Sequence, residues 1–174
     1  SAGRQANRPK LASENPGLVQ AAISALGRFV AFASGSSNLV PGDFRAQGFD
    51  VFVHDRDTDG NGVPDEPGGM RTTLASADAN GAPGNARSGS PVISADGRAV
   101  GFGSAASNLV AGDTNGAQDV FVVDRASGAT ARASVASDGT QADGFSFQPA
   151  LSPDGRFVAH GGSRPSPLRR SLDA

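Results

Sequence analysis

The chain has 174 residues, enough for one domain with a core, and a formal net charge of −2 with acids and bases interspersed, which leaves no electrostatic footprint for nucleic acid. Zero Cys excludes disulfides and thiolate metal sites, and no apolar run approaches the ~20 residues that span a bilayer. With 24 Gly and 11 Pro the chain favours tight turns over long helices, and without Trp or Tyr its ten Phe must carry most large-side-chain packing.

Residues 1–20 are poorly patterned, with Pro9, Pro16 and Gly17, and hold no apolar h-region of a signal peptide. A first repeat then runs over 21–85. Its elements are Ile23-Ser24-Ala25-Leu26-Gly27-Arg28, a strand over 28–32, Ser37-Asn38-Leu39-Val40, and a strand Asp50-Val51-Phe52-Val53. A second repeat, 86–145, answers it. Ile93 to Arg98 matches Ile23 to Arg28 at an offset of 70, Ser107 to Val110 matches Ser37 to Val40 at 70, and Asp119 to Val122 matches Asp50 to Val53 at 69. A third repeat begins at 146–160. There Pro149, Ser152 and Asp154-Gly155-Arg156 match Pro91, Ser94 and Asp96-Gly97-Arg98 at 58. Self-similarity at a fixed period is the mark of stacked supersecondary units.

Each unit predicts four short strands. The first ends in an Asp-Gly turn, where Gly accepts positive φ without a Cβ clash. The second and third are apolar at consecutive positions, the pattern of strands covered on both faces. The fourth, Thr130 to Val135, is short and Ala-rich. After Ala159 the expected Phe-x-Ser is replaced by His160-Gly161-Gly162-Ser163, and an irregular tail is expected over 161–174. Arg169 and Arg170 read as part of a solvated tail.

The recurring pattern is P-x-[IL]-S-x-D-G-R-x-V-x-F, then S-N-L-V-x-G-D, then D-V-F-V-x-D. It is complete from Pro91 to Asp124, present from Ile23 to Asp55 with Leu26 at the turn Asp and Ala21 at the Pro, and begun again at Pro149. It resembles the TolB-type β-propeller repeats, a WD-like class common in bacterial periplasmic and secreted proteins. The resemblance covers roughly 21–159. It implies an all-β array of four-stranded antiparallel blades, two complete and a third begun, in a periplasmic or extracellular setting. A closed propeller takes about four to eight blades, so the array is expected to be a fragment of a longer one.

The offset falls from 69 to 58 after the first unit, so that unit carries 11 extra residues within 55–72. The insertion opens DRDTDGNGVPDE, which fits the calcium-loop pattern D-x-[DN]-x-[DN]-G-x5-E. Carboxylates at alternate positions converge on one hard cation, Gly permits the sharp turn, and a Glu closes the sphere. In one register Asp55, Asp57 and Asp59 supply side chains, Asn61 a carbonyl, and Glu66 closes. In a second, Asp57, Asp59 and Asn61 supply side chains, Val63 a carbonyl, and Asp65 stands ninth. That register is similar to the Asp-rich calcium loops of thrombospondin type 3 and dockerin repeats. Asp55 has a repeat partner, Asp124, in a unit with no insertion, which leans toward the second register. A solvated hairpin without an ion is the remaining alternative. Any calcium affinity is expected at about 10⁻⁴ to 10⁻³ M, as in extracellular modules.

A lesser oxygen-rich stretch runs from Gly112 to Asp119, and its counterpart from Asp43 to Asp50 has no Asn; Asp113 and Asp119 read as turn residues. His54 and His160 are the only imidazoles. No G-x-S-x-G elbow, H-E-x-x-H or phosphate loop is present. The expected function is a non-catalytic interaction module for an unidentified protein or glycan, with calcium in the 55–66 loop and self-association through exposed blade edges. The alternatives are an accessory propeller of a larger bacterial hydrolase or peptidase, and a structural cell-surface element.

Overall fold

A computed structural model describes residues 20–41, 48–163 and 169–170. Most of the poorly patterned 1–20 segment and the stretch from Asp43 to Gln47 lie outside the described residues. Among those described the chain is all-β, in three antiparallel sheets.

The first sheet holds β1 (Ala21–Ile23), β2 (Phe29–Ser34), β3 (Asp50–Asp55) and β4 (Arg71–Leu74) in chain order. The second holds β5 (Ser88–Ile93), β6 (Ala99–Ser104), β7 (Asp119–Asp124) and β8 (Ala129–Arg132), again in chain order. The third holds β9 (Ser146–Leu151), β10 (Phe157–Gly162) and β11 (Arg169–Arg170). These are propeller-like blades. The fourth strand of the second blade covers less of 130–135 than expected. β10 continues three residues past Ala159, because Ser163 N donates to Phe145 O and holds the strand end through His160-Gly161-Gly162. The tail expected to be irregular supplies β11, whose Arg169 and Arg170 pair with Val158 and Phe157 in backbone register.

Each first turn is built the same way. Gly27, Gly97 and Gly155 donate their N–H to the carbonyls of Ser24, Ser94 and Ser152 at 2.9–3.0 Å, with φ of 73°, 76° and 70°. The hydroxyls of those serines accept from Phe29 N, Ala99 N and Phe157 N at 2.9–3.0 Å. Left-handed φ at the fourth turn residue favours Gly, which is why Gly recurs there in all three turns.

The sheets stack face to face, with one apolar layer in each gap. Ala31, Val51, Val53 and Ala75 of the first meet Val100, Phe102, Phe121 and Val123 of the second. Ala99, Val120, Val122 and Ala133 on its other side meet Val158 and Leu151 of the third. Every residue of β6 and β7 is therefore buried, as the consecutive apolar pattern predicted. Each fully buried Val or Phe contributes about 1.5–3 kcal/mol. Backbone bonds stitch the stack: Ala25 N donates to Ala95 O at 2.9 Å and Ala95 N to Pro153 O at 2.8 Å.

Candidate functional site

The insertion folds back on itself between β3 and β4. Positive φ at Gly60, Gly62 and Gly68, and at Asp65 (63°), turns the chain sharply. Asp57 is buried and its carboxylate accepts from Asn61 N and Gly62 N, both at 3.0 Å. The Asn61 side-chain amide donates to Asp59 Oδ2 at 3.1 Å and to Glu66 Oε1 at 2.6 Å. Desolvation pushes the Asp59 carboxyl up, but the hydrogen bond donated by Asn61 N at 3.4 Å helps hold it below its ordinary value.

The other two acids have cationic partners. Asp55 accepts from Arg28 Nε at 2.9 Å and Nη2 at 3.0 Å, the arrangement that Arg98 makes with Asp124 in the next blade. Asp65 is clamped by Arg56, through Nε at 3.0 Å and through Nη2. The predicted set thus divides: Asp57, Asp59, Asn61 and Glu66 come together, while Asp55 and Asp65 are held by arginines. Among the described residues no group of three or more His, Cys, Asp or Glu is gathered so as to hold a metal ion.

The two histidines lie apart from any carboxylate hydrogen bond. His54 Nδ1 shares one with Thr72 Oγ1 at 2.9 Å across β3 and β4, and His160 Nδ1 lies 3.2 Å from Gly161 O. Asp113 lies ahead of β7, and Asp119, read as a turn residue, instead opens that strand. Buried Asp119 accepts from Ser134 Oγ at 2.6 Å, Gln141 Nε2 at 3.0 Å and Asn115 Nδ2 at 3.1 Å. The Arg132 guanidinium lies 3.4 Å from Asp113 and 3.7 Å from Asp119, and its Nε and Nη1 make no hydrogen bond within the protein. Arg132 went unnoticed in the sequence, although its repeat partner at an offset of 58 is Leu74, a departure visible there.

A second feature lies on the inner strands. β5 and β9 each carry a bulge, with Ser90 and Gln148 at φ of 53° and 52°. Non-Gly residues seldom adopt this region. Between the first two blades, Ala33, Phe49, Ser88, Ser90, Gly103 and Gln118 line an open cleft of about 230 Å³, with Arg87 stacked 4.8 Å over Phe49. The bulges went unforeseen, because nothing in the Ser90 or Gln148 side chains signals left-handed backbone.

No protein-family model matches the chain, and no curated protein does. Among solved structures it is similar to a putative TolB from Agrobacterium tumefaciens, at 19% identity and a TM-score of 0.47 over 83% of this chain and 39% of that one. TolB from Acinetobacter baumannii aligns at 19% identity and 0.47, over 83% and 26%. Hydrazine synthase from Kuenenia stuttgartiensis aligns at 17% identity and 0.42, over 81% and 36%. The chain spans about two fifths or less of the length of each of these three structures, and its likeness to them is one of fold.

Proposed function

We propose that the chain is a non-catalytic β-propeller repeat module that binds a protein or other ligand, with calcium bracing the 55–66 loop, in the periplasm or outside the cell. One observation carries the first part. The polar groups with chemical potential are tied to scaffold roles that repeat from blade to blade. Arg28–Asp55 recurs as Arg98–Asp124. Ser76, which accepts from Val51 N and donates to Asp50, recurs as Ser134, which accepts from Val120 N and donates to Asp119. A group that recurs in every blade serves the blade. The binding surface then lies in the inner-strand cleft.

The calcium part rests on Asp57, Asp59, Asn61 and Glu66, the residues of the insertion that lie against one another. They combine the second register with the closing acid of the first. A hard cation coordinated by their oxygens would replace the hydrogen bonds that now join them. The test is calorimetric titration of calcium into chelator-stripped protein, with melting followed in parallel. A saturable one-site isotherm at submillimolar to millimolar calcium and a raised melting temperature are expected, both weakened by Glu66→Ala and by Asn61→Ala. Absence of heat and of a melting shift well above that range removes calcium from the account.

A further inference from the structure

Arg56 and Arg125 hold the same position in successive blades and differ in what neutralises them. Each follows the last residue of a third strand, and each donates Nη1 to the carbonyl of a turn glycine, Arg56 to Gly27 at 2.9 Å and Arg125 to Gly97 at 2.7 Å. Arg56 is clamped by Asp65, an acid of the insertion. The second blade has no insertion, and among the described residues Arg125 makes no ion pair.

Arg125 lies in the gap between the first and second blades, half-buried, 4.3 Å from the centre of the Phe29 ring. Its burial pushes the guanidinium below its ordinary value. Asp55 is the acid whose field opposes this, and that carboxylate is already spanned by Arg28 Nε and Nη2 at 2.9 and 3.0 Å. A half-buried cation with no acid of its own favours an anion brought to it.

Space for that anion adjoins Arg125. Between the outer strands β4 and β8 lies a cleft of about 350 Å³, and every residue that lines it is among those described. Val53, Leu74 and Ala75 of the first blade and Val123 of the second supply apolar wall, and Arg125 supplies the cation. Asp78 is the one acid of the lining, and its Oδ1 is taken by Asn80 N at 2.8 Å and Ala82 N at 2.9 Å within its own turn. Small-molecule sites are of this size and kind, apolar clefts with a few placed polar groups. The cleft shares no residue with the inner-strand cleft, which is smaller at about 230 Å³.

We propose that this cleft binds a free short-chain aliphatic carboxylate, with the carboxylate on Arg125 and the chain against Val53, Leu74, Ala75 and Val123. Arg125 commits Nη1 to Gly97 O, and a guanidinium has further N–H donors for a carboxylate. An uncharged chain would leave the cation unanswered, and an acid without a chain would leave the apolar wall wet. Such a site goes beyond an interaction module and does not depend on calcium in the insertion.

Titration with hexanoate, followed by backbone amide NMR shifts, tests it. Saturable shifts are expected at Val53, Leu74, Ala75, Val123 and Arg125, with a dissociation constant of about 1 mM, the strength of so small a ligand. Hexanol, which keeps the chain without the charge, and acetate, which keeps the charge without the chain, should each bind about 10-fold more weakly. Arg125→Gln retains a donor for Gly97 O and loses the charge, and it should bring hexanoate down to the level of hexanol. Leu74→Ser, on the cleft wall, should weaken hexanoate and hexanol together. Unchanged melting and unchanged amide shifts away from the cleft confirm that both variants fold. No shift at about 10 mM hexanoate, equal binding of hexanoate and hexanol, or hexanoate binding untouched by Arg125→Gln overturns the proposal. Shifts at Phe49 and Ser88 in place of the expected set also overturn it while leaving the inner-strand cleft as a binding surface, so the two readings fail separately.

Discussion

Arg98 donates to Asp124 Oδ2 through Nη2 at 2.6 Å and Nε at 3.1 Å, tying the start of the second strand of a blade to the end of the third. Asp124 is buried and also accepts from Ala126 N and Ser127 N, while Arg98 is largely exposed. The carboxyl is held below its ordinary value, chiefly by the Arg98 hydrogen bond. A depressed carboxyl stabilises the fold above its unfolded value near 4 and ceases to do so as pH falls through the lower folded value. Asp124→Asn should therefore cost about 1–2 kcal/mol at neutral pH and little at strongly acidic pH. Urea unfolding of both proteins across the acid range checks this. An equal loss at all pH values would contradict it.

The turn glycines separate backbone strain from blade packing. Gly60 and Gly97 share a left-handed φ, 70° and 76°, but only at Gly97 does a Cβ collide with a neighbouring blade. Gly60→Ala should cost about 1 kcal/mol. Gly97→Ala should cost about 3 kcal/mol, the excess arising where the Phe29 ring must move. Chemical denaturation of the two variants reads the difference directly.

Arg132 is a largely enclosed cation between half-buried Asp113 and buried Asp119. Replacing it with Leu, the residue at the matching position of the first blade, leaves Asp113 and Asp119 without their counter-charge. A loss of about 3 kcal/mol is expected. Adding Asp113→Asn to that variant should recover part of it, which a double-mutant cycle measures. Full additivity would show that the guanidinium does not act on Asp113.

Much of this was legible because a repeat exposes its own scaffold. Offsets of 70 and 58 placed the three Gly-Arg turns, an offset of 69 placed Asp55 opposite Asp124, and consecutive apolar residues identified strands sealed on both sides. β11 was not legible, because two arginines joined to β10 by backbone pairing carry no apolar signal. The pairing of Arg56 with Asp65 was not legible either. It exists only once the insertion has folded, and it takes one acid out of the candidate calcium set. Asp55 was legible in both senses, as a loop acid and as the counterpart of Asp124, and in the structure it is paired with Arg28.

The central claim is a stack whose middle blade is sealed along both its second and third strands, while the second strands of its neighbours are only partly covered among the described residues. Hydrogen exchange at a concentration where the chain is monomeric tests it most directly. The slowest amides should lie in Ala99–Ser104 and Asp119–Asp124, with faster exchange in Phe29–Ser34 and Phe157–Gly162. If the strands of the first or third blade exchange more slowly than those of the second, the middle blade is not the enclosed one and the account fails.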